Sequence, residues 1–294
     1  MCPFKKSYFL LLIPALLSCQ KLIEVEEQEY NPQLVMNCIL KQTRFQWNWV
    51  ELYESKDILD SAREFRPVSG ASVLLYENEQ LVDTCEEINQ GIYSLNYKVL
   101  EGKTYKITAE ANGFESIVAE DRIPDGIQNL KIETITPEPS GNLYEEYTYR
   151  LTYSIDDPIG PNFYDLELEV FYGGENGGRY SGIDFWEVGT NLDPFDKKDT
   201  VRVFSDALFD GQTHERTIEF TYSNEDRYVS EQIAFILTLR HVSQAYYQYF
   251  TSLENQAISH ENPFAEPALV YSNVNNGIGI LASYSTVTTS YRVK

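Results

Sequence analysis

The chain has 294 residues, with 23 Lys and Arg against 45 Asp and Glu, a formal net charge of −22. So acidic a surface argues against nucleic acid as a partner, because neutralising phosphates needs clustered Lys and Arg. The acids are spread along the chain, a pattern that serves solubility, and the length fits two modest domains better than one.

Lys5 and Lys6 precede an apolar run from Tyr8 to Leu17. The run is too short for a spanning helix, which needs roughly 20 apolar residues, but it suits the h-region of a secretory signal. It ends at Leu16-Leu17-Ser18-Cys19, with the small Ser18 at the cut site. These four residues resemble the lipobox of bacterial lipoproteins. The resemblance implies that residues 1–18 are a signal peptide, that Cys19 carries diacylglycerol on its sulfur, and that its new amino terminus is acylated. Outer-membrane lipid is then a partner, since several acyl chains, at about 0.8 kcal/mol per buried CH₂, anchor stably where one does not. Losing Lys5 and Lys6 and no acid leaves 21 basic against 45 acidic residues, a net charge of about −24. No Asp stands beside Cys19, which resembles outer-membrane sorting in Gram-negative lipoproteins. Glu24, Glu26 and Glu27 soon after resemble surface-export signals in some lineages. The expected location is therefore the outer membrane, facing the periplasm or the cell surface, with the surface favoured. Residues 19–32 read as the lipidated tether, closed by Asn31-Pro32.

Residues 33–124 carry strand signals at a spacing near ten residues, which predicts a β-sandwich. "QLVMNCIL" has apolar residues on both faces and is expected to be a central strand. In "RFQWNWVELY", Phe45, Trp47 and Trp49 share one face of a strand. That face is expected to be core, because strand aromatics usually bury; the alternative is an aromatic platform, with Trp47 and Trp49 as ligand contacts. Further on, Glu77–Gln80 and Asn112-Gly113 are predicted turns, the second a hairpin because both of its central residues need φ > 0. The order P-V-S-G-A-x-V, G-x-Y, G-x-x-Y-x-I-x-A, G-F resembles prealbumin-like and carboxypeptidase-regulatory-like modules of secreted proteins, which implies a scaffold or binding domain.

Pro124-Asp125-Gly126 breaks the pattern, and residues 125–294 are expected to form a second β-sandwich. "EEYTYRLTYSIDDP" places Tyr147, Tyr149, Leu151 and Tyr153 on one face, and "NFYDLELEVFYGG" repeats the period. "EQIAFILTLRHV" is apolar enough to be central. One segment changes period: Tyr246, Phe250, Leu253 and Ala257 stand at helical spacing. Ser243 is the expected cap and Asn262-Pro263 the stop, so one amphipathic helix near 244–260 should pack on the second sheet. Asn276-Gly277 is a second hairpin candidate, and Gly277 with Gly279 implies close backbone approach or a bulge. The fold class is mainly β, two sandwiches with one helix.

Chemistry-bearing motifs are sparse. His214, His241 and His260 have no ligand spacing for zinc, no Gly-x-Ser-x-Gly frame occurs, and "YGGENGGRY" lacks the Lys and following helix of a phosphate loop. Abundant carboxylates are weak grounds for glycoside hydrolysis in so acidic a chain. Asp193, Asp196 and Asp199 are calcium candidates, but their spacing is not that of an EF-hand loop, and a solvated acidic loop is the better reading. Asp206 and Asp210 receive the same reading. Trp186 is a ligand-contact candidate, with interdomain packing as its alternative. Cys38 and Cys85 lie in strand-like stretches, and both a disulfide between them and two buried thiols stay open. No cofactor and no enzymatic activity are expected.

Taken in order, Leu16–Cys19, "EYNPQLVMNCIL", "PVSGASVLLYE", "GIYSLNYKVLEGKTYKITAEANGF" and "ENPFAEPALVYSNVNNGIGILASYS" resemble a large family of lipoproteins of Bacteroidota-type Gram-negative bacteria, defined by a domain of unknown function. Its members are typically encoded beside TonB-dependent outer-membrane receptors. Members often carry Gly where this chain has Cys38, so the resemblance implies no family-wide disulfide, and it transfers no catalytic residues. It implies a non-enzymatic outer-membrane lipoprotein that assists nutrient uptake, binding a glycan or peptide or capping a TonB-dependent receptor. The alternative is a structural or adhesive surface protein without a small ligand.

Overall fold

A computed structural model describes residues 30–42, 48–57, 64–139, 146–174, 177–187, 203–223, 232–261 and 268–293. The first part runs β1 (Leu34–Lys41), β2 (Asn48–Glu54), β3 (Arg66–Pro67), β4 (Ser72–Glu77), β5 (Gln80–Thr84), β6 (Glu86–Asn89), β7 (Ile92–Leu95), β8 (Thr104–Glu110) and β9 (Ile117–Arg122). The second holds β10 (Leu130–Pro139), β11 (Glu146–Asp156), β12 (Phe163–Gly174), β13 (Gly177–Gly182), β14 (Phe185–Glu187), β15 (Val203–Ser205), β16 (Thr213–Ser223) and β17 (Gln232–Val242). Helix α1 (Gln244–Glu261) and β18 (Ile278–Arg292) follow. The fold is mainly β and sandwich-like, with one helix among the described residues. That helix is not long and apolar enough to cross a membrane.

Local chemistry makes the turns. Asn78 and Glu79, both at positive φ, close the two-residue β4–β5 hairpin, as its primed turn geometry demands. Gly113, at φ +87°, turns between β8 and β9. β10 continues through Pro137, which is tolerated because the strand is an edge of its sheet.

Three sheets result. The largest has the order β13-β12-β17-β18-β1-β2-β7-β6, with β15 beside β12 and β3 beside β2. The two smaller ones are β5-β4-β8-β9 and β10-β11-β16-β14. One core joins β1, β2, β7 and β18 to the first small sheet through residues such as Met36, Leu52, Leu75 and Ile107, all fully buried. A second joins β12 and β17 to the other small sheet through Leu151, Tyr164, Phe220 and Phe235. The alternation of "FYDLELEV" is visible here: Tyr164, Leu166, Leu168 and Val170 face that core, and Asp165 and Glu167 do not.

The cores therefore divide close to residue 124, but the sheets do not. β18 pairs in parallel with β1 from Val35↔Ile278 to Lys41↔Tyr284, then antiparallel with β17 from Val242↔Tyr284 to Ala234↔Arg292. Residues Pro32–Lys294 form one compact unit, in which two sandwich halves share a single sheet. The two sandwiches expected on either side of residue 124 are joined by this sheet. The join is made at β1, whose two edges are taken by β2 and by a strand from the far end of the chain. Gly279 permits the pairing: at φ +119°, any Cβ there would lie 2.0 Å from the Met36 carbonyl oxygen. The Asn276-Gly277 turn leads from an isolated bridge between Val118 and Asn275 into β18, so it is not a hairpin.

Helix α1 packs on the outer face of the large sheet, opposite the cores, over Ile280, Ala282 and Val242. The Ser243 hydroxyl accepts the Tyr246 N–H at 3.2 Å, the expected cap. Tyr246 is buried, but Ala257, expected on the inner face, is exposed and Ile258 is 59% exposed, so only the first turns are seated.

Candidate functional site

Beside the seated end of α1 a groove of about 590 Å³ opens over the outer face of the large sheet. Its floor comes from β1, β2 and β18. Alternation along β1 sends Leu34, Met36, Cys38 and Leu40 into the core, so Asn37, Ile39 and Lys41 face outwards. Glu51 pairs with Asn37 and Asn37 with Ile280 in one rung across three strands; Lys41 pairs with Tyr284 in another. The wall is helical: Tyr246, Tyr249, Phe250 and Leu253 stand at i, i+3, i+4 and i+7 on one face.

Trp49, expected in a core, is 43% exposed and lines this groove. Val50 and Leu52 take the inward positions of β2, so the odd-numbered residues Trp49 and Glu51 point out. The Glu51 carboxylate accepts the Trp49 indole N–H at 3.0 Å and the Tyr53 hydroxyl at 3.4 Å, and this holds the indole in place. Burial, then the nearby Glu51 charge, raises the Tyr53 pKa. Asn48 braces the strand ends, accepting the Lys41 N–H and donating to the Lys41 carbonyl, both at 3.0 Å.

The far end of the groove is a fixed ion cluster. The Arg240 guanidinium donates to Asp165 at 2.8 Å and to Glu167. The Tyr246 hydroxyl also donates to Asp165, at 2.7 Å, and bolts the first turn of α1 to the sheet. Burial pulls the Arg240 pKa down, but Asp165 and Glu167 outweigh it and keep the guanidinium charged. Burial raises the hydroxyl pKa of Tyr246, Tyr249 and Tyr284. In contrast, Lys41, Asn37 and the Tyr249 hydroxyl have side chains without a polar partner among the described residues.

The domain of unknown function DUF4249 has a family model that matches residues 20–290. The chain belongs to this family. No curated protein matches it.

The other expected sites of this DUF4249 chain fall elsewhere. Trp186 lies on β14, the edge strand of a small sheet, with its backbone paired to Glu219, whereas Trp49 lies on β2 of the large sheet. Trp47 and the calcium candidates Asp193, Asp196 and Asp199 lie outside the described residues. Cys38 and Cys85 are free thiols in the same core, and burial holds both pKa values up, that of Cys85 at about 12. Neither is a nucleophile at neutral pH.

Asp206 corrects the reading of a solvated loop, whereas Asp210 is exposed as that reading expects. Asp206 is buried, and these two with Asp157 bring carboxylate oxygens within 4.8 Å of one another. Protein donors already occupy much of this cluster. Asp157 accepts from the Tyr164 hydroxyl and from Gly211 N–H at 2.7 Å, Asp206 from Asn162 N–H at 2.8 Å, and Asp210 from Gly160 N–H at 2.8 Å. Burial raises the Asp157 pKa. The cluster clasps the 157–162 and 206–211 loops together.

Sequence reasoning found the helix, and Trp49 only as the alternative to a core face, but not Tyr249, Tyr284, Asn37, Lys41 or Glu51 as a group. The alternation of β1 and the i+3 spacing of Tyr246 and Tyr249 carry part of that signal. Their meeting depends on β18 pairing with β1.

Proposed function

We propose that this DUF4249 protein is a non-enzymatic outer-membrane lipoprotein that holds a ligand in the groove between α1 and β1–β2 and works beside a TonB-dependent receptor in nutrient uptake. The groove carries the reading: an aromatic-lined concavity of about 590 Å³ is of the size that holds small ligands. Among the described residues Glu51 is the one carboxylate lining it, whereas glycoside hydrolysis needs two flanking the bond. Asp165 and Glu167, behind it, are committed to Arg240. Both facts favour binding over chemistry. The lipobox-like Leu16–Cys19 supports the anchor.

The test is affinity purification of the full-length protein from detergent-solubilised membranes of its native cells, followed by mass spectrometry. A TonB-dependent receptor should be retained, and Cys19→Ala should move the protein to the soluble fraction. Recovery without a receptor would overturn the uptake role. A Cys19→Ala protein still in the membrane pellet would overturn the anchor.

A further inference from the structure

We infer that the groove binds a neutral saccharide, with a pyranose ring laid against the exposed indole of Trp49; this rests on the groove being the binding site. Arg240 is held by two carboxylates, Asp165 and Glu167, and the lining adds one further cation, Lys41, and one carboxylate, Glu51, so two cations face three carboxylates and no strong charge of either sign is left. An anionic ligand would approach a chain of net charge −22 with only Lys41 uncommitted in the groove. A cationic one would meet Lys41, which has no carboxylate partner among the described residues.

What is left to recognise is an apolar face and a ring of hydroxyls. Trp49, Phe250 and Leu253 offer the apolar surface, and the Glu51 bond pre-sets the indole. Lys41 supplies donors, while the Asn37 amide and the Tyr249 hydroxyl each donate and accept, and all three lack protein partners among the described residues. Such a mixture of donors and acceptors, with one cation among them, matches sugar hydroxyls. A peptide that docks by adding a strand needs a free sheet edge. The floor offers no edge, because β1 is paired by β18 and β2, and β2 by β1 and β7.

Isothermal titration of the purified protein with maltohexaose, cellohexaose, mannohexaose and xylohexaose tests this, beside hexagalacturonate and a tryptic peptide pool. A neutral hexasaccharide should bind with an affinity unchanged by salt. Trp49→Ala should weaken it by about tenfold or more and Tyr249→Phe by less, with the melting temperature of Trp49→Ala unchanged. Preferential, Trp49-dependent binding of hexagalacturonate or peptide would overturn the saccharide and leave the groove as the site. If no probe binds, or binding ignores Trp49→Ala, both the saccharide and the groove fall.

Discussion

The two halves of the molecule hold themselves together differently. The first core is chiefly aliphatic, built from short strands, and its two fully buried tyrosines have their hydroxyls tied down. Tyr93 donates to the Val68 carbonyl and accepts from Ala71 N–H, each at 2.9 Å, and Tyr105 donates to Glu77 at 2.9 Å. The second core is aromatic. Phe235 meets Phe220 at 4.9 Å, Tyr149 at 5.0 Å and Tyr222 at 5.5 Å between ring centroids, and Tyr149 stacks on Phe220 at 5.3 Å. Positive-φ turns at Asn78, Glu79, Gly91 and Gly113 fix the first half locally. The second relies on rings interlocking between sheets, so its order is set by contacts distant in sequence. A ring cluster concentrates stability in few residues; an aliphatic core with tight turns spreads it.

Mutations at the hub of each half, and at the joint, test that contrast. The largest effect is expected from Phe235→Ala, which removes the hub of the ring cluster and should cost about 3–5 kcal/mol in chemical denaturation. Because the halves share a sheet, one transition should shift as a whole; a second transition appearing for the aromatic half alone would show the halves to be independent. Gly279→Ala comes next, at about 3 kcal/mol, since it combines a strained φ with a clash against Met36. It should lower the same single transition, and a neutral result would refute the role given to the parallel β1–β18 pair.

Asp121 makes the joint pH-sensitive. It lies on β9, and its carboxylate accepts from the Ser283 hydroxyl of β18 at 2.6 Å and from the helix cap Ser243. Burial, opposed by those hydrogen bonds, raises its pKa from 3.8 to about 7. Between those values the folded state holds a proton that the unfolded state has released. Stability from this group is therefore complete below about pH 4 and is lost as pH rises through about 7. The difference between wild type and Asp121→Asn in unfolding free energy should move by roughly 4 kcal/mol across that window, with wild type falling relative to the variant. A flat difference curve would place Asp121 in a less buried site. Smallest is Tyr93→Phe, which strips the backbone partners in the aliphatic half of their hydroxyl and should cost about 1–2 kcal/mol. A loss as large as that of Phe235→Ala would erase the distinction between spread and concentrated stability.

Much of the strand content was legible because alternation and turn chemistry are local. Tyr149, Leu151 and Tyr153 are buried as their period implies, and Ser243 caps the helix that follows it. Trp49 was misplaced for a reason that period alone cannot repair: alternation says which residues share a face, not which face meets the core. Val50 and Leu52 won the inward side of β2. Likewise, Asp206 read as part of an open loop until folding brought Asp157 and Asn162 against it.

The sequence by itself determined the β class, the position of the single described helix, the break near residue 124 and the lipobox-like segment, all of which are written in short windows of polarity, turn residues and spacing. Only the tertiary structure decided that the halves share a sheet and that Trp49, Lys41, Tyr249 and Tyr284 meet around one groove. The physical reason is β18: its pairing with β1 joins segments from opposite ends of the chain, and no local pattern specifies which distant edge a strand will find.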